Sequence, residues 1–185
     1  MNVTWRLTDM DKRDAAKRRL NFISGEDFYF LTYELLLIID VMTSVNGSFK
    51  DHRKLSYLVQ LAGDENVVRI LERYDDRPIA NAEDREQLFT TFANGELNKR
   101  EIFKLVLALE RRGFLMVQRA SIPEVVDVQL NRSALPARFL DNDVFDADRT
   151  RIQRLKKLVP RLSTLKIETF LEKVYGTRGV NVWAL

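Results

Sequence analysis

The most metal-like string in this 185-residue chain is Asp141-Asn142-Asp143-Val144-Phe145-Asp146-Ala147-Asp148. It fails as an EF-hand loop, because Asp146 stands at the sixth position, where the sharp turn needs glycine, and Ile152 stands at the twelfth, where a bidentate glutamate is needed. Two or three of these carboxylates would suffice for magnesium, but acids just before a basic helix at Arg149 also complement its dipole, and that is the reading taken. Pro123 to Asn131, PEVVDVQLN, has the acids of a metal-dependent nuclease strand without the lysine that must follow the second acid. A Ser-His-Asp arrangement has only His52 to build on, the single histidine, beside Asp51 in the first turn of a predicted helix. In that setting the spacing predicts an exposed or capping-region residue rather than a general base. There is no cysteine, which excludes disulfide scaffolds, thiol catalysis and cysteine-ligated zinc or iron-sulfur centres. Neither GxxxxGK[ST] nor GxGxxG occurs, so the two common phosphate-cradling loops are absent. The expectation is a protein with no catalytic residue, no metal and no cofactor, and hence not an enzyme.

Charge is the more informative chemistry. The formal net charge is only +3, yet residues 1–25 carry +3, residues 26–148 carry −7 and residues 149–185 carry +7. An acidic body flanked by basic ends predicts a polyanion or an acidic protein meeting the ends. No apolar run reaches the ~20 residues of a membrane span, and the N-terminus has no signal-peptide core, so the expected location is cytoplasmic with no membrane contact.

The elements that must position these residues are mainly helical: Gly and Pro are few, at 7 and 4, and 45% of residues are hydrophobic. Four parts are expected: a charged leader over 1–25, an N-terminal helical part over 26–81, a winged-helix module over 82–130, and basic C-terminal helices with an apolar tail over 131–185. The nearly continuous apolar run FYFLTYELLLIIDVM predicts a buried central helix, and Asn46-Gly47 ends it. Asp51 caps a second helix carrying Leu55, Leu58, Val59 and Ala62; Gly63 stops it, and Asp64 starts a third. Helices over 82–93 and 98–112 follow, separated by a turn at Asn94-Gly95, with Asn98 as the second cap and Gly113 as the C-terminal stop. FLMVQR and VVDVQLN then read as a β-hairpin. Two basic helices, about 147–159 and 163–175, complete the pattern.

Helix, turn, helix and immediate hairpin is the order of a winged helix-turn-helix, in which the second helix enters the major groove and the wing touches phosphates. The matching residues are Lys99, Arg100 and Lys104 on the helix and Arg119 at the wing tip; Glu96, Glu101 and Glu124 interrupt the patch. On the first basic helix Arg151, Arg154 and Lys157 stand at i, i+3 and i+6 and share a broad face, with Ile152, Leu155 and Val159 forming a separate core-facing stripe. That face either carries DNA affinity or neutralises the acidic body of the same chain or of a partner. Val180, Val182, Trp183 and Leu185 give the tail an apolar end; it docks on a partner, with Trp183 in a pocket, or folds back on its own domain.

The segment LTYELLLIIDVMTSVNGSFKDHRKLSYLVQLAG, an apolar helix, a turn and then Asp51-His-Arg-Lys-Leu-Ser-Tyr-Leu, is similar to the N-terminal half of the middle components of bacterial ABC-three-component systems. A winged-helix segment and a basic C-terminal region follow it, as in those small subunits, and the resemblance spans about residues 28–130. It implies an accessory subunit between an SMC-like ATPase and a separate effector, often a nuclease, in Lamassu-type defence against plasmids or phage, with double-stranded DNA met through the complex. The chain also resembles the winged-helix accessory subunits, of the kite kind, in bacterial SMC complexes. The alternative from the residues alone is a stand-alone winged-helix transcription regulator.

Overall fold

A computed structural model describes residues 29–43 and 47–181. The chain divides into two compact units, Met1–Tyr33 and Glu34–Leu185. Of the first, residues 29–33 are described, as the opening of helix α1 (29–42). The second is mainly helical with a small three-stranded antiparallel sheet.

In α1, Leu35, Leu36, Leu37, Ile38 and Ile39 are all buried, so the middle of the helix is covered on every side, as the nearly continuous apolar run predicts. Strand β1 (Ser48–Phe49) leads to Asp51, whose carboxylate accepts from the Arg53 backbone N–H and caps a single tight turn over His52–Lys54; α2 (Leu55–Ala62) continues from it. Asp64 caps α3 (Glu65–Arg73) by accepting from the Asn66 N–H. The apolar residues of α3, Val67, Val68, Ile70 and Leu71, are buried and its charged residues face out. Both caps were legible in the sequence.

Helix α4 (Ala82–Arg111) corrects one expectation. Asn81 caps it through the Glu83 and Asp84 N–H groups, but the turn expected at Asn94-Gly95 does not form, and Asn98 lies within the helix rather than at a second cap. The physical reason is Tyr57 of α2. Its ring lies close against the bare backbone of Gly95, where a Cβ would stand 2.4 Å from the Tyr57 Cδ1. Glycine inside a helix costs about 1 kcal/mol, and the close approach of a fully buried tyrosine ring offsets it. The same ring packs among Phe92, Phe170 and Tyr175, with centroids 5.9, 6.0 and 6.2 Å away, so helices α2, α4 and α6 (Ile167–Val174) meet around it. Gly95→Ala is therefore expected to destabilise the fold by about 1–2 kcal/mol, overpacking outweighing the gain in helix propensity. A urea midpoint that is unchanged or raised would show that the ring moves aside freely.

Gly113, at φ 79°, ends α4: its N–H donates to the Glu110 carbonyl, and that of Phe114 to the Leu109 carbonyl. The expected hairpin follows as β2 (Leu115–Arg119) and β3 (Val126–Leu130), in register from Leu115 opposite Leu130 to Arg119 opposite Val126. β1 pairs with the other edge of β3, Phe49 opposite Val128, giving the order β1-β3-β2. Lys50 and the Asp51 N–H both donate to the Asp127 carboxylate and pin that junction. The C-terminal part carries α5 (Asp146–Leu158) and α6.

Candidate nucleic-acid interface

On α4, Arg100 and Lys104 are exposed and lie one turn apart on one face, with Lys104 3.6 Å from Glu101. Lys99 is half-buried instead. Its ammonium is 2.8 Å from Glu96 Oε2 and stands over the Tyr57 ring, while the Tyr57 hydroxyl donates to the other Glu96 oxygen. Burial and this carboxylate hold the Tyr57 hydroxyl well above the ordinary phenol range. Arg119 is exposed at the end of β2. The α4 and hairpin group thus presents Arg100, Lys104 and Arg119 to solvent, with Lys99 committed to the fold.

On α5, Arg151 and Arg154 come together, turned toward α2 and α3. Arg151 Nε donates to the Ala62 carbonyl at 2.8 Å, and its Nη2 meets Asp148. Arg154 grips Glu72 through Nε and Nη2 at 2.7 and 2.6 Å and Glu65 through Nη1 at 2.8 Å. Those two carboxylates hold the guanidinium well above its ordinary range, and Arg154 in turn lowers both glutamates. Lys157, the third residue of that set, is exposed and has no carboxylate partner among the described residues. Arg154→Glu should lower the thermal midpoint while leaving DNA affinity at a fixed temperature unchanged. A matched loss of affinity without a change in the midpoint would give Arg154 to the nucleic acid instead.

Val180 is buried, and its N–H donates to the Tyr175 carbonyl, so this part of the tail packs on its own unit. Val182, Trp183 and Leu185 lie outside the described residues. Arg178, one of the basic C-terminal residues, is buried: its guanidinium donates to the carbonyls of Lys173, Val174 and Leu71, and desolvation lowers its pKa. His52 is also buried rather than exposed, because β3 covers it. Its Nδ1 accepts from the Val126 N–H at 3.2 Å, its ring is 4.6 Å from Phe103, and burial lowers its pKa, favouring the neutral imidazole. The acids of 141–148 serve the start of α5: Asp146 and Asp148 lie in its first turn, and Asp141 pairs with Arg149. No group of three acidic or histidine side chains able to hold a metal is found among the described residues.

Sequence reasoning missed a second basic surface on α5. Arg149, Gln153, Lys156 and Lys157, at i, i+4, i+7 and i+8, line an open pocket of about 460 Å³ together with Asp40 and Val41 at the end of α1. Asp40 is buried and pairs with both Arg149 and Arg132; Arg149 also donates to the Leu140 carbonyl, and Lys156 to the Val41 carbonyl at 2.6 Å. The signal was present as a second helical stripe, but its partner Asp40 is 109 residues away in sequence.

Two buried charges show unusual electrostatics. Glu34 is pushed up to about 8 by burial and by Asp148, with Arg151 opposing. Lys54, fully buried, is pushed down to about 8 by desolvation, with Asp51 and Asp127 opposing. No helix among the described residues is long and apolar enough to cross a membrane. Searches of protein-family models, curated proteins and solved structures find no match to the chain.

Proposed function

We propose that the protein is a non-catalytic accessory subunit built on a winged-helix-like unit, bridging an SMC-like ATPase and an effector in defence against plasmids or phage and assisting DNA binding. The observation that carries the winged-helix part is the strand order β1-β3-β2: helix α1, strand β1, helices α2 to α4 and then the β2–β3 hairpin is the element order of a winged helix with α3 inserted. On this reading the unit begins at α1 rather than at residue 82, and the C-terminal half of α4 takes the place of the recognition helix. The subunit role rests on the resemblance of the segment from α1 to α2. It is also supported by the placement of charge: Lys99, Arg151 and Arg154 are spent inside the fold, while exposed cations such as Arg100, Lys104, Arg119 and Lys157 are spread over separate elements, an arrangement suited to sequence-independent contact with phosphates.

The competing reading, a stand-alone transcription regulator, is favoured by exposed Arg100 and Lys104 on the helix that leads into the hairpin. Co-expression with the products of neighbouring genes separates the two. A subunit co-purifies with an SMC-like ATPase and binds duplexes of any sequence alike. A homodimer that gives a footprint at one palindromic operator would reverse the assignment.

A further inference from the structure

We infer that the pocket between the end of α1 and the outer face of α5 is a phosphate-binding site, distinct from the α4 and hairpin surface. Its lining has three cationic side chains, Arg149, Lys156 and Lys157, against the single carboxylate of Asp40, and the Gln153 amide adds a neutral donor. Asp40 is buried and its charge is shared between Arg132 and Arg149, so it leaves the two lysine charges to attract an incoming anion. It orients Arg149, whose second nitrogen is fixed by the Leu140 carbonyl and lies 3.5 Å from Asp141. Lysines in the last turn of α5 would complement the helix dipole without any pocket. That role does not require a buried carboxylate pinning an arginine beside them, nor an opening of about 460 Å³.

The chemistry favours phosphate over carboxylate. Planar, bidentate capture of a carboxylate needs a free guanidinium fork, and that of Arg149 is directed at Asp40 and the Leu140 carbonyl. What remains are the Lys157 ammonium, the donors of Lys156 that its bond to the Val41 carbonyl leaves over, and an amide, which together suit the several oxygens of a phosphate. The phosphate comes either from a nucleic-acid backbone or from a free phosphate compound. The backbone source rests on the DNA-assisting role proposed above; the pocket itself does not.

The test uses the full chain with Gln153→Glu/Lys157→Glu, both exposed positions outside the core, beside Arg100→Glu/Lys104→Glu. Inorganic phosphate and AMP are titrated by NMR, and a fluorescent duplex by anisotropy over a range of salt. Inorganic phosphate should shift the amide signals of α5 around Gln153 to Lys157 in the wild type and in the α4 variant but not in the pocket variant. DNA affinity should fall roughly tenfold or more in the pocket variant, with a salt slope shallower by about 1 for the lost lysine contact. If phosphate and AMP bind through the pocket while DNA affinity is untouched there and lost in the α4 variant, the site stands and its ligand is a free phosphate compound. If neither phosphate nor DNA responds to Gln153→Glu/Lys157→Glu, and circular dichroism shows both variants folded, the inference is overturned.

Discussion

Lys54→Ala is expected to cost about 3–5 kcal/mol, a large part of the roughly 5–15 kcal/mol that holds an ordinary domain folded. The side chain is wholly inside, its ammonium donating to the carbonyls of Leu162 at 2.8 Å and Leu165 at 2.7 Å and standing 4.7 Å from the centre of the Phe49 ring. Alanine removes three carbons and the ammonium from a packed interior and strands two carbonyls, each worth about 1–3 kcal/mol when left without a donor. Lys54→Met keeps most of the volume and removes a desolvated charge, so it should be the milder change. Urea unfolding followed by far-UV circular dichroism measures both. An alanine variant within about 1 kcal/mol of wild type, or a methionine variant worse than alanine, would mean that Lys54 does not hold the 162–165 loop.

The second large effect is a minimum in stability near pH 8. Glu34 has a folded-state pKa raised from 4.5 to about 8, so its contribution is complete below 4.5 and is lost as pH rises through 8. Lys54 has one lowered from 10.5 to about 8, so its contribution is complete above 10.5 and is lost as pH falls through 8. Between them the two curves meet at their lowest point. Below pH 6.5 the lowered pKa of His52 works against Glu34, and above pH 10 the raised values of Tyr57 and Tyr175 work against Lys54. The clean windows are therefore a fall from pH 6.5 to 8 and a rise from 8 to 10, each on the order of 1–2 kcal/mol. Glu34→Gln should flatten the first limb and Lys54→Met the second. A profile that is flat, or highest near pH 8, would refute the assignment of these two charges.

How much of this could be read from the residues follows from the range of each interaction. Asp51, Asp64 and Gly113 signal through neighbours two to five positions away, and the ends they mark were legible. The hairpin was legible for the same reason. β1 was not, because two residues carry no pattern and Phe49 becomes a strand only by meeting Val128. The continuity of α4 was hidden, since Asn94-Gly95 is a good local stop signal that only the ring of Tyr57, far back in the sequence, overrides. In the candidate interface, the basic stripe Arg151, Arg154 and Lys157 was visible, but the sequence could not distinguish a free face from a committed one. Arg154 is answered by Glu65 and Glu72, 89 and 82 positions earlier. Arg100 and Lys104 needed no such distant partner to be recognised as surface residues.

The Lys54 ammonium also sets an order of events during synthesis. Its two acceptors lie 108 and 111 residues downstream, and the Lys50 N–H likewise awaits the Ser163 carbonyl. Until residue 165 has left the ribosome, the turn before α2 cannot bury this charge on its intended partners, so the segment from β1 to the hairpin should remain loosely packed while the rest is made. Such long-range closure makes folding slow and all-or-none rather than stepwise from the N-terminus. A nascent chain stalled before residue 162 should accordingly be digested by protease far faster than one released beyond residue 181.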